Sequence, residues 1–384
     1  MDSRIAVFST IILLFSCLVA YPDVKFSGSA YNETSVINSD EAVQYGNRSN
    51  LHLKAVSLSE GAKLVAELDF YMLYGYLTSQ TAGADDPQTA ALAEQLKDGQ
   101  FYVDRLYMKF PVLSADVILG KQRIAWGSGT IFRPTDTFNR PNPLSLSGRK
   151  EGVNALITKI FTGDLSALEF VIAPADIFRR IDDQINLGRL KYSKFASRFT
   201  LNKFRADMAF SYQYNGESEN HICGFDIKGD LKLGYHLETV FIYNRDAFEA
   251  GNMSDYWQSV LGLDYSFGGK WFLLGEYLYN GQGRESESDL SATDFSSLDA
   301  FWYRHYLYSR VLYQPDVFWG VNMAVIWNMV DKSLILSPGI NYSLFQNTDM
   351  GIYGQFFLGD ENDEYGPSRL GVDQVYYLRL TVKF

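Results

Sequence analysis

The chain has 384 residues, of which 15% are aromatic, and a formal net charge of −11. This length allows two or three soluble domains or one large barrel. No stretch after residue 20 reaches the apolar length of a membrane-spanning helix, which excludes a helical membrane protein, and the acidic balance argues against a nucleic-acid partner.

Residues 1–20 predict a secretory signal peptide. Arg4 supplies the positive start, residues 5–14 are apolar, and Ala20 ends a small-residue cleavage site. A lipoprotein signal ending at Cys17 is the alternative reading. Removal of the signal leaves Cys223 as the one cysteine, so disulfides do not hold the fold.

Residues 21–384 predict one domain, an outer-membrane β-barrel. Apolar and polar residues alternate with a period of two in segments of the length that crosses a bilayer as a tilted strand. The predicted strands are residues 24–32, 51–58, 63–74, 101–110, 116–126, 152–161, 165–173, 187–195, 205–214, 221–228, 231–244, 256–267, 270–280, 301–313, 317–329, 333–345, 349–358 and 370–384. The fold class is therefore all-β, a transmembrane antiparallel up-and-down barrel of about 18 strands, with 16 as the alternative because the signals at residues 202–204 and 330–332 are weak.

The connections alternate in length along this map. Short turns follow most even-numbered strands and long connections mostly follow odd-numbered ones, which places the long ones on one side and both termini on the other, periplasmic side. The long connections 33–48, 76–99, 281–300 and 359–369 are all acidic. We expect them to form a rim outside the cell.

The last predicted strand carries the most specific pattern. Its apolar row consists of Tyr376, Leu378, Leu380, Val382 and Phe384. This row, ending on an aromatic residue, resembles the terminal signal of bacterial outer-membrane barrels, which the barrel-assembly machinery reads. The resemblance implies the outer membrane of a Gram-negative type of cell, with the assembly machinery, lipid and lipopolysaccharide as partners.

The connection at residues 127–150 differs from the other long ones. It holds Arg133, Arg140, Arg149 and Lys150 against Asp136 alone, together with three prolines that stiffen it. In many porins one such loop folds back into the lumen, and we expect this loop to narrow the pore. The alternative is an outer loop pinned by an Arg–Asp pair, with Trp126 at the membrane boundary.

The same region carries a second resemblance. GKQRIAWG at residues 120–127 and PTDTFNRPNP at residues 134–143 resemble the signature of a loosely defined group of uncharacterised porin-like outer-membrane barrels. That group implies a barrel that acts as a channel, with no agreed substrate. The residues predicted to line or constrict the pore are Arg105, Lys121, Arg123, Trp126, Arg133, Asp136, Asn139, Arg140, Arg189, Arg304 and Arg310.

The functional expectation is a porin-like channel for passive diffusion of small hydrophilic solutes. The basic residues favour anionic solutes. The alternative is a water-filled interior of mixed charge, in which acids such as Glu238 and Glu276 form ion pairs with basic residues across the lumen. The alternative function is a non-conducting surface barrel that binds or anchors polysaccharide. The four histidines show no metal-ligand spacing and no Ser–His pairing, so we predict no catalytic residue, metal or cofactor, and a barrel hydrolase is a weaker alternative. The sequence carries no signal for the oligomeric state.

Overall fold

A computed structural model describes residues 24–39, 42–59, 61–75, 100–139, 152–175, 187–244, 255–286, 301–361, 363–366 and 372–384. The predicted signal peptide and the predicted loop at residues 76–99 lie outside the described residues. Within the described part of the chain, no helix is long and apolar enough to cross a membrane.

The described chain forms eighteen strands and one short 3-10 helix, Leu187–Tyr192. The first nine strands are β1 Lys25–Asn38, β2 Val43–Ser59, β3 Ala62–Gly75, β4 Gln100–Val112, β5 Ala115–Gln122, β6 Val153–Gly163, β7 Ser166–Ala173, β8 Lys194–Lys203 and β9 Ala206–Asn215. The other nine are β10 Asn220–Asp230, β11 Gly234–Asn244, β12 Asp255–Phe267, β13 Trp271–Asn280, β14 His305–Tyr313, β15 Trp319–Asn328, β16 Leu334–Phe345, β17 Thr348–Leu358 and β18 Gln374–Lys383.

The strands close into a barrel. Each strand pairs antiparallel with its neighbours in the chain, and β1 pairs with β18 from Ser29 opposite Lys383 to Asn38 opposite Gln374. Closure leaves no free sheet edge, so every strand finds backbone partners on both sides without water. This confirms the predicted antiparallel up-and-down barrel and its count of eighteen strands.

The wall has an apolar outer face and a mainly polar inner face. In β18, Tyr376, Leu378 and Leu380 point outward and are 42–49% exposed, whereas Val375 points inward and packs against Ile37. Trp257, Trp271 and Trp319 are also exposed on the outside. An apolar skin with aromatic residues near the strand ends is the arrangement that a bilayer requires.

One predicted strand is misplaced. Residues 187–192 form the 3-10 helix, and β8 begins at Lys194. The turn from β8 to β9 is made by Phe204 and Arg205, both with φ near +60°. Positive φ at two central residues suits a tight hairpin, but such turns are usually recognised by Asn or Gly, and neither is present here. The pattern therefore contains no turn signal that marks the end of this strand.

The predicted acidic loop 33–48 is mostly strand. β1 continues to Asn38 and β2 begins at Val43, so the connection shrinks to residues 39–42. The outward row in this region contains Asn32, Thr34, Asn47 and Ser49, and polar residues on both faces remove the period-two signal. We call the end with this connection the connection end of the barrel, and the opposite one the short-turn end.

Candidate functional site

The predicted constriction loop begins inside the barrel. β5 ends at Gln122, and residues 123–139, which we call the crossing segment, follow without regular secondary structure. Ile124 and Trp126 pack against small and branched residues on the inner wall of β6, β7 and β8, namely Ala155, Ile157, Val171, Ala173 and Ala196. Trp126 is therefore not part of the strand, although the predicted strand 116–126 includes it. It also does not lie at the membrane boundary, which was the alternative interpretation.

Two charged side chains fix the indole of Trp126. Its Nε1 donates a hydrogen bond of 2.9 Å to Glu169 Oε1. The Arg198 guanidinium lies 5.6 Å from its ring centroid and pairs with Asp226 at 3.1 Å. A cation over an indole face adds electrostatic attraction to the packing. The first part of the segment is therefore attached to β7 and β8.

Glu238 of β11 holds the middle of the crossing segment. Its carboxylate accepts the backbone N–H groups of Ser128 at 3.0 Å, Gly129 at 3.1 Å and Thr135 at 2.7 Å, and the Thr135 hydroxyl at 2.6 Å. Gly127 adopts φ +85°, and a Cβ there would lie 2.6 Å from both carboxylate oxygens. Four donors on one fully buried carboxylate replace its hydration shell.

Glu276 of β13 holds the tip of the segment in the same way. It accepts the backbone N–H groups of Thr130, Ile131 at 2.9 Å and Phe132 at 3.5 Å. His236 Nε2 lies 2.9 Å from Glu276 Oε1. The two carboxylates thus bind consecutive parts of one backbone stretch.

The tip is also packed. The Phe132 ring is buried, with centroids 4.9 Å from Phe301 and 6.5 Å from Tyr306 of β14. The segment leaves the wall at β5 and docks at β13 and β14, eight and nine strands further around a circle of eighteen. It therefore runs from one side of the lumen to the other.

The return of the segment is closed by its own polar side chains. Asp136 Oδ1 accepts the Asn139 N–H at 3.0 Å, and Asn139 Oδ1 accepts the Ile124 N–H at 2.8 Å. Gln213 Nε2 of β9 donates to the Thr135 carbonyl at 2.8 Å. Asp136 and Asn139 are buried, so their contacts shape the segment itself.

Three predicted arginines keep their charge available. Arg123 is exposed, and the only hydrogen bond of Arg133 in the described residues joins its Nε to the Gly129 carbonyl at 2.5 Å. Arg310 lies on the inner face of β14, where it pairs with Leu274 of β13. The next inward residue toward the connection end is Tyr308, which pairs with Glu276. Among the described residues, no carboxylate lies within 4 Å of any of these three guanidinium groups.

The other predicted site residues are dispersed. Lys121 donates to the Tyr102 hydroxyl at 2.9 Å, and Arg105 pairs with Glu67 at 3.2 Å. Arg304 precedes β14 and pairs with Glu285, beyond the end of the strand. Arg189 lies in the 3-10 helix, and Arg140 lies outside the described residues.

A buried polar cluster joins three connections above this site. Glu364 accepts the Tyr306 hydroxyl at 2.6 Å and Asn328 Nδ2 at 2.8 Å, and its backbone N–H donates to Asp331 at 2.8 Å. Burial raises the pKa of the Glu364 carboxyl to about 8, against the lowering effect of these donors. Because Tyr306 contacts Phe132 as well, the cluster and the crossing segment share one packed region.

Sequence reasoning found some of these residues and missed others. It placed Glu238 and Glu276 on the lumen face, but nothing in the sequence indicated that they bind backbone more than a hundred positions away. Arg198 was missed because its strand was misplaced. Among the described residues, no group of three or more potential ligands is arranged to hold a metal ion.

No protein-family model and no curated protein matches the chain. Solved structures do. The outer membrane protein OpdK from Pseudomonas aeruginosa aligns with a TM-score of 0.60 at 10% identity, covering 94% of this chain and 98% of that one. OpdK with vanillate aligns with a TM-score of 0.58 at 11% identity, covering 94% of this chain and 98% of that one. OccAB1 from Acinetobacter baumannii aligns with a TM-score of 0.58 at 11% identity, covering 94% of this chain and 97% of that one. At these identities the likeness establishes the fold: the chain has the barrel architecture of these proteins.

Proposed function

We propose that the protein is a channel through which small hydrophilic solutes, anions in preference to cations, diffuse passively across an outer membrane. The wall suits a bilayer on the outside and water within. The crossing segment, held across the lumen by Glu238 and Glu276, narrows the path. The charged side chains along the narrowed path then select which solutes pass.

The charge balance along this path carries the proposal. Glu238 and Glu276 are fully buried and saturated by donors, and Asp136 is buried within the segment. Arg123, Arg133 and Arg310 have no carboxylate partner among the described residues. Basic side chains that keep their charge at a narrow point favour the passage of anions. OpdK, which shares the fold, has been crystallised with vanillate.

The cellular setting follows from the same proposal. The predicted signal peptide would deliver the chain to the periplasm, and the barrel-assembly machinery would insert it with both termini on the periplasmic side. The connection end would then face outward and contact lipopolysaccharide. Small polar solutes are the remaining partner class.

The test is the sign of ion selectivity in a planar bilayer under a KCl gradient. The purified protein is expected to be anion-selective, and Arg123→Ala, Arg133→Ala and Arg310→Ala are each expected to lower that selectivity. A unit charge 4 Å from a passing ion is worth about 1 kcal/mol in water, which is about fivefold in a permeability ratio. Arg304→Ala is the matched control, because Arg304 is paired with Glu285 beyond the strand.

The outcomes separate the candidate functions. A cation-selective pore, or equal effects of Arg304→Ala and Arg133→Ala, contradicts the anion path. A sealed lumen without conductance favours the alternative of a barrel that anchors polysaccharide at the cell surface.

A further inference from the structure

The outer face of β1 and β2 carries polar side chains that the channel does not use. Asn32, Thr34, Asn47 and Ser49 point away from the lumen, and we call these four residues the outer polar patch. The two amides bond to each other in both directions, at 3.0 and 3.1 Å. Asn32 also donates to the Ser49 hydroxyl at 2.9 Å, and Asn47 donates to the Thr34 hydroxyl at 3.0 Å.

The patch is enclosed by apolar wall. On one side Asn32 and Thr34 pair with Leu380 and Leu378 of β18, and on the other side Ser49 and Asn47 pair with Met72 and Tyr74 of β3. Along the strands, Ala30 and Leu51 lie toward the short-turn end, and Val36 and Tyr45 toward the connection end. Elsewhere in the described wall, the outward row in mid-strand contains single hydroxyl residues, such as Thr158 and Ser309, and one hydroxyl pair, Thr239 with Ser259, whose oxygens lie 2.8 Å apart.

Acyl chains are a poor partner for this surface. The Thr34 and Ser49 hydroxyls each accept a hydrogen bond, but their own hydrogens have no acceptor among the described residues. In hydrocarbon an unsatisfied polar group is costly. A lipid phosphate is a poor partner too, because the outward rows of β18, β1, β2 and β3 contain no lysine or arginine.

The wall directly beside the patch has one small residue. Ala30 of β1 follows Asn32 in the outward row toward the short-turn end, whereas Leu51 follows Ser49 in β2. Further toward that end, the Phe384 ring lies against Gly28, and Ala55 and Ala66 are buried among larger neighbours such as Leu64. Small residues beside polar ones let two membrane proteins approach closely enough to form hydrogen bonds across an interface.

We propose that the outer polar patch is the interface with a second copy of this chain, related by a two-fold axis. The patch is self-complementary: it presents hydroxyl hydrogens without acceptors, and each Asn Oδ1 accepts only one amide bond within the patch. A two-fold axis places the same surface on both partners, so the hydroxyls of one copy face the amide oxygens of the other. The inference depends on the proposed function only in that the barrel spans a membrane.

Cysteine cross-linking tests the contact directly. In a chain with Cys17→Ser and Cys223→Ser, a Ser49→Cys variant is expected to form a covalent dimer when outer membranes are oxidised. Leu237→Cys, exposed on β11 at the opposite wall, is the matched control and should stay monomeric. Absence of a Ser49→Cys dimer, a ladder beyond the dimer, or attachment to a different protein overturns the proposal.

A second variant removes the amide groups of the outer polar patch. Asn32→Leu combined with Asn47→Leu makes the patch apolar, which suits a lipid-facing wall, so the barrel should still fold and conduct. Native mass spectrometry in mild detergent is expected to show a dimer for the parent chain and a monomer for the variant. A variant that stays dimeric overturns the interface. A parent dimer without conductance overturns the channel and leaves the interface intact.

Discussion

Glu238 and Glu276 are the residues on which the position of the crossing segment depends most. A buried carboxylate is tolerated only when donors replace its water, and here those donors are backbone N–H groups of the crossing segment. The dependence is mutual, because the crossing segment has no regular secondary structure and its N–H groups therefore have no ladder partners. Each carboxylate therefore accepts hydrogen bonds from N–H groups that would otherwise have no partner, and those N–H groups replace the water that the buried carboxylate has lost.

Replacing Glu238 by Gln is expected to release the middle of the segment. The amide places an NH₂ group where one carboxylate oxygen stood, facing two of the four donors, and it removes charge-assisted bonds, each worth about 1.5–3 kcal/mol. Single-channel recordings of Glu238→Gln should show a larger mean conductance and more current noise than the parent. Asp116→Asn is the control, since Asp116 pairs with Lys109 at 2.7 Å away from the segment. Equal conductance of Glu238→Gln and parent contradicts this role.

Glu364 gives the connection end a pH dependence. Its pKa of about 8 in the folded protein lies above the ordinary value of 4.5, so the folded cluster keeps a proton that the unfolded connection has lost. The stabilising contribution is fully present below about pH 4.5 and is lost as pH rises through 8. Hydrogen exchange at Trp302, whose N–H donates to Glu364, should accelerate across this range beyond the intrinsic rate. In Glu364→Gln that extra acceleration should vanish; if it persists, another group controls the cluster.

At the scale of elements, the crossing segment is shaped by glycine as much as by its anchors. A Cβ on Gly129 would overlap the carbonyl oxygen of Phe132, so the segment closes on itself only without a side chain there. Gly129→Ala is expected to loosen the segment and raise conductance, as measured in the same bilayer recordings. Gly275→Ala in β13 is the matched control, because nothing lies within 4 Å of its added Cβ. A Gly129→Ala channel identical to the control would mean that the segment tolerates a different path.

The strands could be predicted from the sequence because their signal is local. A row such as Leu378 and Leu380 alternating with Arg379 is visible within five residues, and it faces lipid wherever the barrel closes. The same rule failed at Thr34 and Asn47, where outward residues are polar, so the facing ends of β1 and β2 are strand where the pattern predicts a loop. The docking of the crossing segment could not be predicted, since the bond from Ser128 to Glu238 spans 110 positions and uses a backbone donor.

At the scale of the whole molecule, ion pairs tie neighbouring strands together on the inner wall. Glu67 of β3 binds Lys54 of β2 at 2.8 Å and Arg105 of β4 at 3.2 Å. At the seam, Arg379 of β18 donates through Nε to Glu33 of β1 at 2.7 Å and lies over the rings of Tyr31 and Tyr353, 5.2 and 5.6 Å from their centroids. The seam joins residues 346 positions apart in the chain.

Glu33→Gln therefore tests how much the closed barrel owes to this seam. The change leaves the Arg379 guanidinium without its carboxylate on the inner wall, and bonds of this kind contribute about 1.5–3 kcal/mol each. The midpoint of heat-induced unfolding, followed by the loss of the compact band on unheated gels, should fall by several degrees. Asp349→Asn removes the Lys383–Asp349 pair between β17 and β18, whose side chains are 62% and 37% exposed, and such a pair contributes about 0–1 kcal/mol. Its midpoint should move little. Equal shifts in the two variants would show that closure rests on the backbone pairing of β1 with β18 and not on the charge pair at its centre.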